Sequence, residues 1–258
     1  MPNVERHDPG RFCWIELAAG DHAGAVDFYT NLFGWDVEHN EVPGGGTYSM
    51  FARSGSNVAA CFRQPEDERN AGVPPHWNSY VSVANVDATV GRAGEVGGNV
   101  IASPFDVMEV GRMAVVSDPT GALLYLWQPN LHQGAGLVNE DGSLGWNELW
   151  TSDVAVAGDF YSAVFGWKAD VTEMPSGTYT VFRLEDGTAV GGMTTSEAGI
   201  PSNWLVYFEA GDAKVTIDRA TELGAKVLFG PMSMEGVGTF GTLSDPHNAV
   251  FAVIESER

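Results

Sequence analysis

The sequence predicts an α+β protein made of two tandem copies of one domain, each copy containing two modules of strand, helix and further strands. Two observations carry this expectation. The chain repeats itself, and within each repeat short alternating apolar runs are separated by amphipathic stretches and turn-forming clusters. Setting Phe12-Cys13-Trp14-Ile15-Glu16-Leu17 over Leu144-Gly145-Trp146-Asn147-Glu148-Leu149 gives an offset of 146 − 14 = 132. The match continues colinearly. Asp21 falls on Asp153, Asp27-Phe28-Tyr29 on Asp159-Phe160-Tyr161, Leu32-Phe33-Gly34-Trp35 on Val164-Phe165-Gly166-Trp167, and, after small gaps, Ser117-Asp118-Pro119 on Ser244-Asp245-Pro246. The domains are expected at 8–129 and 143–256, joined by a polar, Gly-containing linker, with modules near 11–63, 76–129, 143–196 and 202–255.

Each element has a local reason. In Phe12 to Leu17, alternation places Trp14 and Glu16 on one strand face and Cys13, Ile15 and Leu17 on the other. Asp21 is suited to cap a helix running to Phe33, with Val26, Tyr29 and Phe33 forming its apolar stripe and Gly34 ending it in the left-handed conformation. Pro43-Gly44-Gly45-Gly46 predicts a turn before a strand at Tyr48 to Arg53, and Ser54-Gly55-Ser56-Asn57 another before Val58 to Phe62. The second module repeats the order: a strand at Asn78 to Val83, a helix at Val86 to Glu95, and strands at Asn99 to Ser103, Arg112 to Ser117 and Ala122 to Trp127.

Composition narrows the function. With 13 Lys and Arg against 34 Asp and Glu, the net charge is −21, which repels nucleic acid and anionic membrane as partners. Cys13 and Cys61 have neither metal nor redox spacing, and the polar start MPNVERHDPG is unlike a leader, so a cytoplasmic setting is expected. A small-molecule ligand remains as the expected partner, with the protein itself a monomer or homodimer.

The strand, the Asp-capped helix with Phe-Tyr and Phe-Gly-Trp, and the late Asp-Pro hairpin together resemble the vicinal-oxygen-chelate superfamily of glyoxalases, bleomycin-resistance proteins and extradiol dioxygenases. The doubled Trp-x-Glu-Leu start is similar to a two-domain actinobacterial subgroup described as glyoxalase-like or hydroxylase-like. The resemblance implies paired βαβββ modules curling into a cup around a small molecule. It also implies where metal-dependent members keep their ligands: on the first strand fifteen residues before the helix tyrosine, at the start of the second module, and four residues after the glycine of the late hairpin. Those positions hold Trp14, Asn78 and Tyr125 in the first domain and Trp146, Asn203 and Ala252 in the second. Indole and methyl groups offer a metal no lone pair, and amide and phenol replace imidazole and carboxylate poorly. No metal site and no cofactor are therefore expected. The six histidines, His7, His22, His39, His76, His132 and His247, have no counterparts between repeats and suit loops and turns.

Glu16 and Glu148 are the candidate catalytic residues. Each shares a face with a tryptophan, and a carboxylate in a partly dry pocket has its pKa raised by desolvation, which suits a general base or a ligand anchor. The alternative is a structural carboxylate that satisfies backbone donors or pairs with an Arg across the domain interface. Candidate ligand-binding residues are Trp14, Tyr48, Asn78, Tyr80 and Tyr125 in the first domain, and Trp146, Tyr179, Asn203 and Tyr207 in the second. Further aromatic wall is expected from Trp77, Trp127, Trp204 and Phe251, while Trp35 and Trp167 are assigned to packing. Such walls suit a planar aromatic or polyketide-like ligand. The Gly44-Gly45-Gly46 loop and the segments Phe105 to Met113 and Met232 to Phe240 are candidate covers. Three functions compete: a metal-independent tailoring enzyme using Glu16 or Glu148, a non-catalytic drug- or metabolite-binding resistance protein, and a metal-dependent lyase or dioxygenase with displaced ligands.

Overall fold

A computed structural model describes residues 4–42, 45–174 and 177–257. Pro43 and Gly44, half of the expected first glycine turn, lie outside the described residues. The first domain runs β1 (Phe12–Ala19), α1 (His22–Phe33), β2 (Asp36–Glu41), β3 (Thr47–Arg53), β4 (Ser56–Arg63), α2 (Glu66–Asn70), β5 (His76–Ser82), α3 (Val86–Glu95), β6 (Asn99–Val107), β7 (Gly111–Ser117) and β8 (Leu123–Pro129). The second runs β9 (Leu144–Thr151), α4 (Val154–Phe165), β10 (Lys168–Met174), β11 (Gly177–Arg183), β12 (Ala189–Thr195), β13 (Asn203–Glu209), α5 (Ala213–Glu222), β14 (Lys226–Met234), β15 (Gly238–Ser244) and β16 (Val250–Ser256). Each domain forms one eight-stranded sheet, ordered β2-β3-β4-β1-β5-β8-β7-β6 and β10-β11-β12-β9-β13-β16-β15-β14. The α+β architecture of two tandem domains is as the sequence predicts.

The capping logic holds in both copies. The Asp21 carboxylate accepts the Gly24 N–H at 3.1 Å, and Asp153 accepts those of Ala155 and Val156, supplying partners to N–H groups that no helical carbonyl can reach. Gly34 (φ 67°) and Gly166 (φ 73°) close the helices in the left-handed region, returning their N–H groups to Thr30 and Ser162. Three elements lie where the residue pattern places none: β2 and its counterpart β10, both implied by the βαβββ resemblance, and α2. β2 is exposed throughout and carries no apolar alternation, and α2 is a short, charge-rich helix between the modules of the first domain.

The domains share one core. Tyr29 Oη donates to Asp245 Oδ2 at 3.1 Å, and Tyr161 Oη donates to Asp118 Oδ2 at 3.0 Å, so each helix tyrosine crosses to the other domain. The second oxygen of each aspartate organises its own hairpin: Asp118 accepts from Thr120 and Ala122, and Asp245 from His247 and Ala249. Trp77 and Trp204 donate to Tyr29 and Tyr161 at 3.0 and 2.9 Å. Trp167 donates to the Gly10 carbonyl, again across the interface, and Trp35 to the Gly142 carbonyl at the end of the linker. The Phe-Tyr, Phe-Gly-Trp and Asp-Pro motifs are thus three parts of one reciprocal seam. Among the described residues no helix is long and apolar enough to cross a membrane.

This seam corrects the aromatic-wall expectation. Trp77, Trp204 and Phe251 belong to the shared core and not to a ligand face, whereas Trp127 packs with Trp14 and Tyr80. Cys13 also departs from simple alternation, because a bulge between Phe12 and Trp14 turns it into the cluster around Trp14 and Tyr80.

Candidate functional site

The sheet face turned away from the shared core forms a cup in each domain, built around the predicted glutamate. Strand β1 projects Trp14 and Glu16 there, and the central pairing of β1 with β5 sets Trp14 opposite Tyr80 and Glu16 opposite Asn78. Tyr48 arrives from β3 and Tyr125 from β8. The Tyr48 hydroxyl donates to Glu16 Oε2 at 2.9 Å, Tyr80 donates to Glu16 Oε1, and Trp14 Nε1 donates to Tyr48 Oη at 3.3 Å. Tyr125 lies against Tyr80, ring centroids 4.7 Å apart.

The second cup repeats this arrangement. Tyr179 donates to Glu148 Oε2 at 2.8 Å, Tyr207 donates to Oε1 at 2.9 Å, and Trp146 Nε1 donates to Tyr179 Oη at 3.2 Å. A third donor reaches this glutamate, Trp150 Nε1 at 2.6 Å from Oε1. Both glutamates are 8% exposed. Among the described residues neither pairs with an Arg across the interface nor serves as a backbone-capping group: phenols are the partners in both cups.

Burial raises the pKa of Glu16, while the Tyr80 and Tyr48 hydrogen bonds pull it back in part. Burial and the neighbouring carboxylate push Tyr48, Tyr80, Tyr179 and Tyr207 above the ordinary phenol range, so they act as neutral donors. A buried carboxylate reached through phenols can take a proton from a bound molecule by relay, or hold a ligand hydroxyl in place of one phenol.

Ten of the eleven predicted site residues line the two cups, Trp14, Glu16, Tyr48, Asn78, Tyr80 and Tyr125 in one and Trp146, Glu148, Tyr179 and Tyr207 in the other, while Asn203 shares their sheet face but lies beyond the cup at its exposed edge. Asn203 is the correction. In register Glu148 faces Leu205, and Asn203 faces Trp150 at the exposed start of β13, where its amide bonds to the Pro201 carbonyl. The true counterpart of Asn78 is Leu205, because the stretch linking the modules is longer in the first domain, where it holds α2.

Sequence reasoning misses three groups. Trp150 is legible, standing two residues beyond Glu148 on the same face. His132 and Glu68 are not, since one lies in the linker and the other in the charged helix α2. Of the expected covers, Val107, Val110 and Met113 pack on the first cup, as do Ala135 and Val138 of the linker, and Phe240 packs on the second.

A divalent ion does not fit these donors. The expected ligand positions hold Trp14, Asn78 and Tyr125 in one cup and Trp146, Leu205 and Ala252 in the other, and among the described residues no three His, Cys, Asp or Glu side chains converge to hold a metal.

Comparison with known proteins agrees with this architecture. "Putative glyoxylase CFP32" of Mycobacterium tuberculosis is 41% identical over 257 residues, covering 99% of this chain and 98% of that protein. "Anthracycline biosynthesis protein DnrV" of Streptomyces peucetius is 36% identical, covering 98% and 95%. Among solved structures, the Mn(II)-bound glyoxalase of Novosphingobium aromaticivorans superposes with a TM-score of 0.68 at 14% identity, covering 96% of this chain and 82% of that one, a likeness of fold alone. The profile of the Glyoxalase/Bleomycin resistance protein/Dioxygenase superfamily matches residues 11–126 and 143–253, and the chain belongs to that superfamily.

Proposed function

We propose that this protein is a tailoring enzyme for a small aromatic or polyketide-like metabolite, and that it moves a proton with a buried carboxylate in place of a divalent ion. The observation that carries the reading is the glutamate clasped by two phenols, Glu16 by Tyr48 and Tyr80 and Glu148 by Tyr179 and Tyr207. Desolvation raises the proton affinity of Glu16, the direction that favours a general base. In the step proposed, an acidic C–H or O–H of the substrate gives its proton to a tyrosine oxygen as that tyrosine passes its own proton to the carboxylate. The electron pair stays on the substrate as an enolate or phenolate, which the phenolic donors then hold. The aromatic walls, the donor set and the relative that bears an anthracycline biosynthesis name support the substrate class.

One observation favours a second reading, capture without turnover. Both oxygens of each glutamate take their donors from the protein itself, as those of a purely structural carboxylate would. Glu16→Gln and Glu148→Gln decide between them. The enzyme reading expects at least one of these substitutions to abolish product formation, followed by mass spectrometry, while ligand binding persists. Normal turnover in both variants would remove the proton-transfer role, and ligand recovered unchanged from the wild-type protein would establish capture. Stoichiometric Fe, Zn, Ni or Mn in the purified protein would overturn metal independence.

A further inference from the structure

Buried polar side-chain atoms almost always find partners, because an unpaired one gives up its hydration and gains no bond in return. Among the described residues four such atoms lack one: Asn78 Nδ2 and His132 Nε2, which belong to the first cup, Glu68 Oε2 on α2 of the same domain, and Arg11 Nε. Asn78 is 3% exposed and stands on the cup face opposite Glu16. Glu68 Oε2 is buried on α2, the helix that precedes β5, and its carboxyl is among the groups that raise the pKa of Tyr125, after burial and Glu16. At the other end of the cup the His132 ring stands edge-on to Trp14, centroids 4.5 Å apart, while its carbonyl accepts the Trp127 indole N–H at 2.9 Å.

Among the described residues the second cup has no counterpart of Asn78, Glu68 or His132. Leu205 stands in place of Asn78, the segment before β13 forms no helix, and no histidine ring lies against Trp146 as His132 lies against Trp14. It also gives Glu148 a third donor where the first cup has Ala18. One cup is internally satisfied and the other is covered yet unsatisfied.

We propose that the first cup is the ligand chamber, and that Asn78 and Glu68 are its specificity-determining residues. They would select a flat, non-anionic molecule bearing a carbonyl-type acceptor for the Asn78 amide and a hydroxyl donor for the Glu68 carboxylate. This rests on the small-molecule reading above and adds which cup is used and what it recognises. An anionic ligand is disfavoured, because Glu16 faces the chamber and the chain carries a net charge of −21. His132, driven by burial down to about 4, is uncharged at neutral pH and adds one further donor or acceptor without cation character.

The test uses the full chain and an acetylnaphthol with its acetyl and hydroxyl groups at opposite ends of the ring system. Its methyl ether lacks the donor and the parent naphthol lacks the acceptor. Calorimetry should find one site per chain, with the acetylnaphthol bound at least tenfold more tightly than either analogue. Glu68→Ala, which removes the carboxylate acceptor, should abolish the preference over the ether. Asn78→Leu, which installs the side chain found in the second cup, should abolish the preference over naphthol and raise the melting temperature of the unliganded protein, because it removes an orphan amide. That opposite movement of stability and binding is what a purely structural asparagine would not produce.

Failure of the wild-type protein to bind the acetylnaphthol, or equal preferences in the wild type and both variants, overturns the proposal. If binding is instead lost in Trp150→Phe, the second cup is the chamber: the proposal falls and the small-molecule reading survives. The turnover experiment on Glu16 and Glu148 judges that reading independently.

Discussion

The two cups share a tryptophan, two tyrosines and a glutamate in the same hydrogen-bonded order, and differ in nearly everything around them. Around Glu148 stand Trp150, Gly192, Leu205 and Ala252; the corresponding positions around Glu16 hold Ala18, Ala60, Asn78 and Tyr125. The shared set holds each sheet's centre together, since it links β1 to β3 and β5, and β9 to β11 and β13. The differing set decides whether polar capacity is left over. Duplication therefore preserved a scaffold twice and left one copy free to satisfy itself internally, so recurrence of a residue in both repeats is weaker guidance to chemistry than its divergence.

The largest expected effect lies where the domains are alike. Tyr29→Phe leaves Trp77 Nε1 without its acceptor and Asp245 Oδ2 without its donor, and Tyr161→Phe does the same to Trp204 and Asp118. At about 1–3 kcal/mol for each buried group left unpaired, either substitution should lower the melting temperature by several degrees. Equal losses would confirm that the seam is reciprocal. A loss in one variant alone would break the symmetry on which the comparison rests.

A smaller effect should separate the cups. A methyl group on Gly192 would overlap the Tyr179 hydroxyl and crowd the Trp146 indole, whereas the first domain already carries Ala60 at this position. Gly192→Ala should cost about 1–3 kcal/mol as an overpacking substitution. Ala60→Gly should cost only about 0.5–1 kcal/mol, from backbone entropy. Thermal unfolding of the two variants measures both, and a neutral Gly192→Ala would mean that the second cup is looser than its hydrogen bonds indicate.

How much of this is legible in the sequence depends on periodicity. The repeat, the helix caps and the Trp-x-Glu face can be read because each has a fixed spacing tied to a backbone geometry. Asn203 is misplaced by a match on strand position, which cannot count through a linking segment whose length differs between copies. Trp77 and Trp204 fall on the wrong wall where aromatic content is weighed above alternation: each stands three residues from Tyr80 or Tyr207 on the same strand, and an odd separation puts it on the opposite face. Glu68 and His132 leave no trace, because their importance comes from where a charged helix and a linker come to rest in three dimensions.

The smallest expected effect concerns pH and Glu16. Its folded-state pKa is raised by burial above an unfolded value of about 4.3, so the fold favours the protonated carboxyl. The stabilisation that this provides is complete below about 4.3 and is lost as pH rises through the higher folded value. The Glu16→Gln variant carries no ionisable group there and escapes that loss. Its melting temperature relative to wild type should therefore climb between acidic and neutral pH, by a few degrees at most, since Tyr48 and Tyr80 offset part of the desolvation in the wild-type protein. Melting curves of both proteins from about pH 4 to about pH 8 bracket the unfolded value and provide the check. A flat difference would mean that the two phenols compensate burial completely, leaving Glu16 without the raised proton affinity that distinguishes a base from a scaffold.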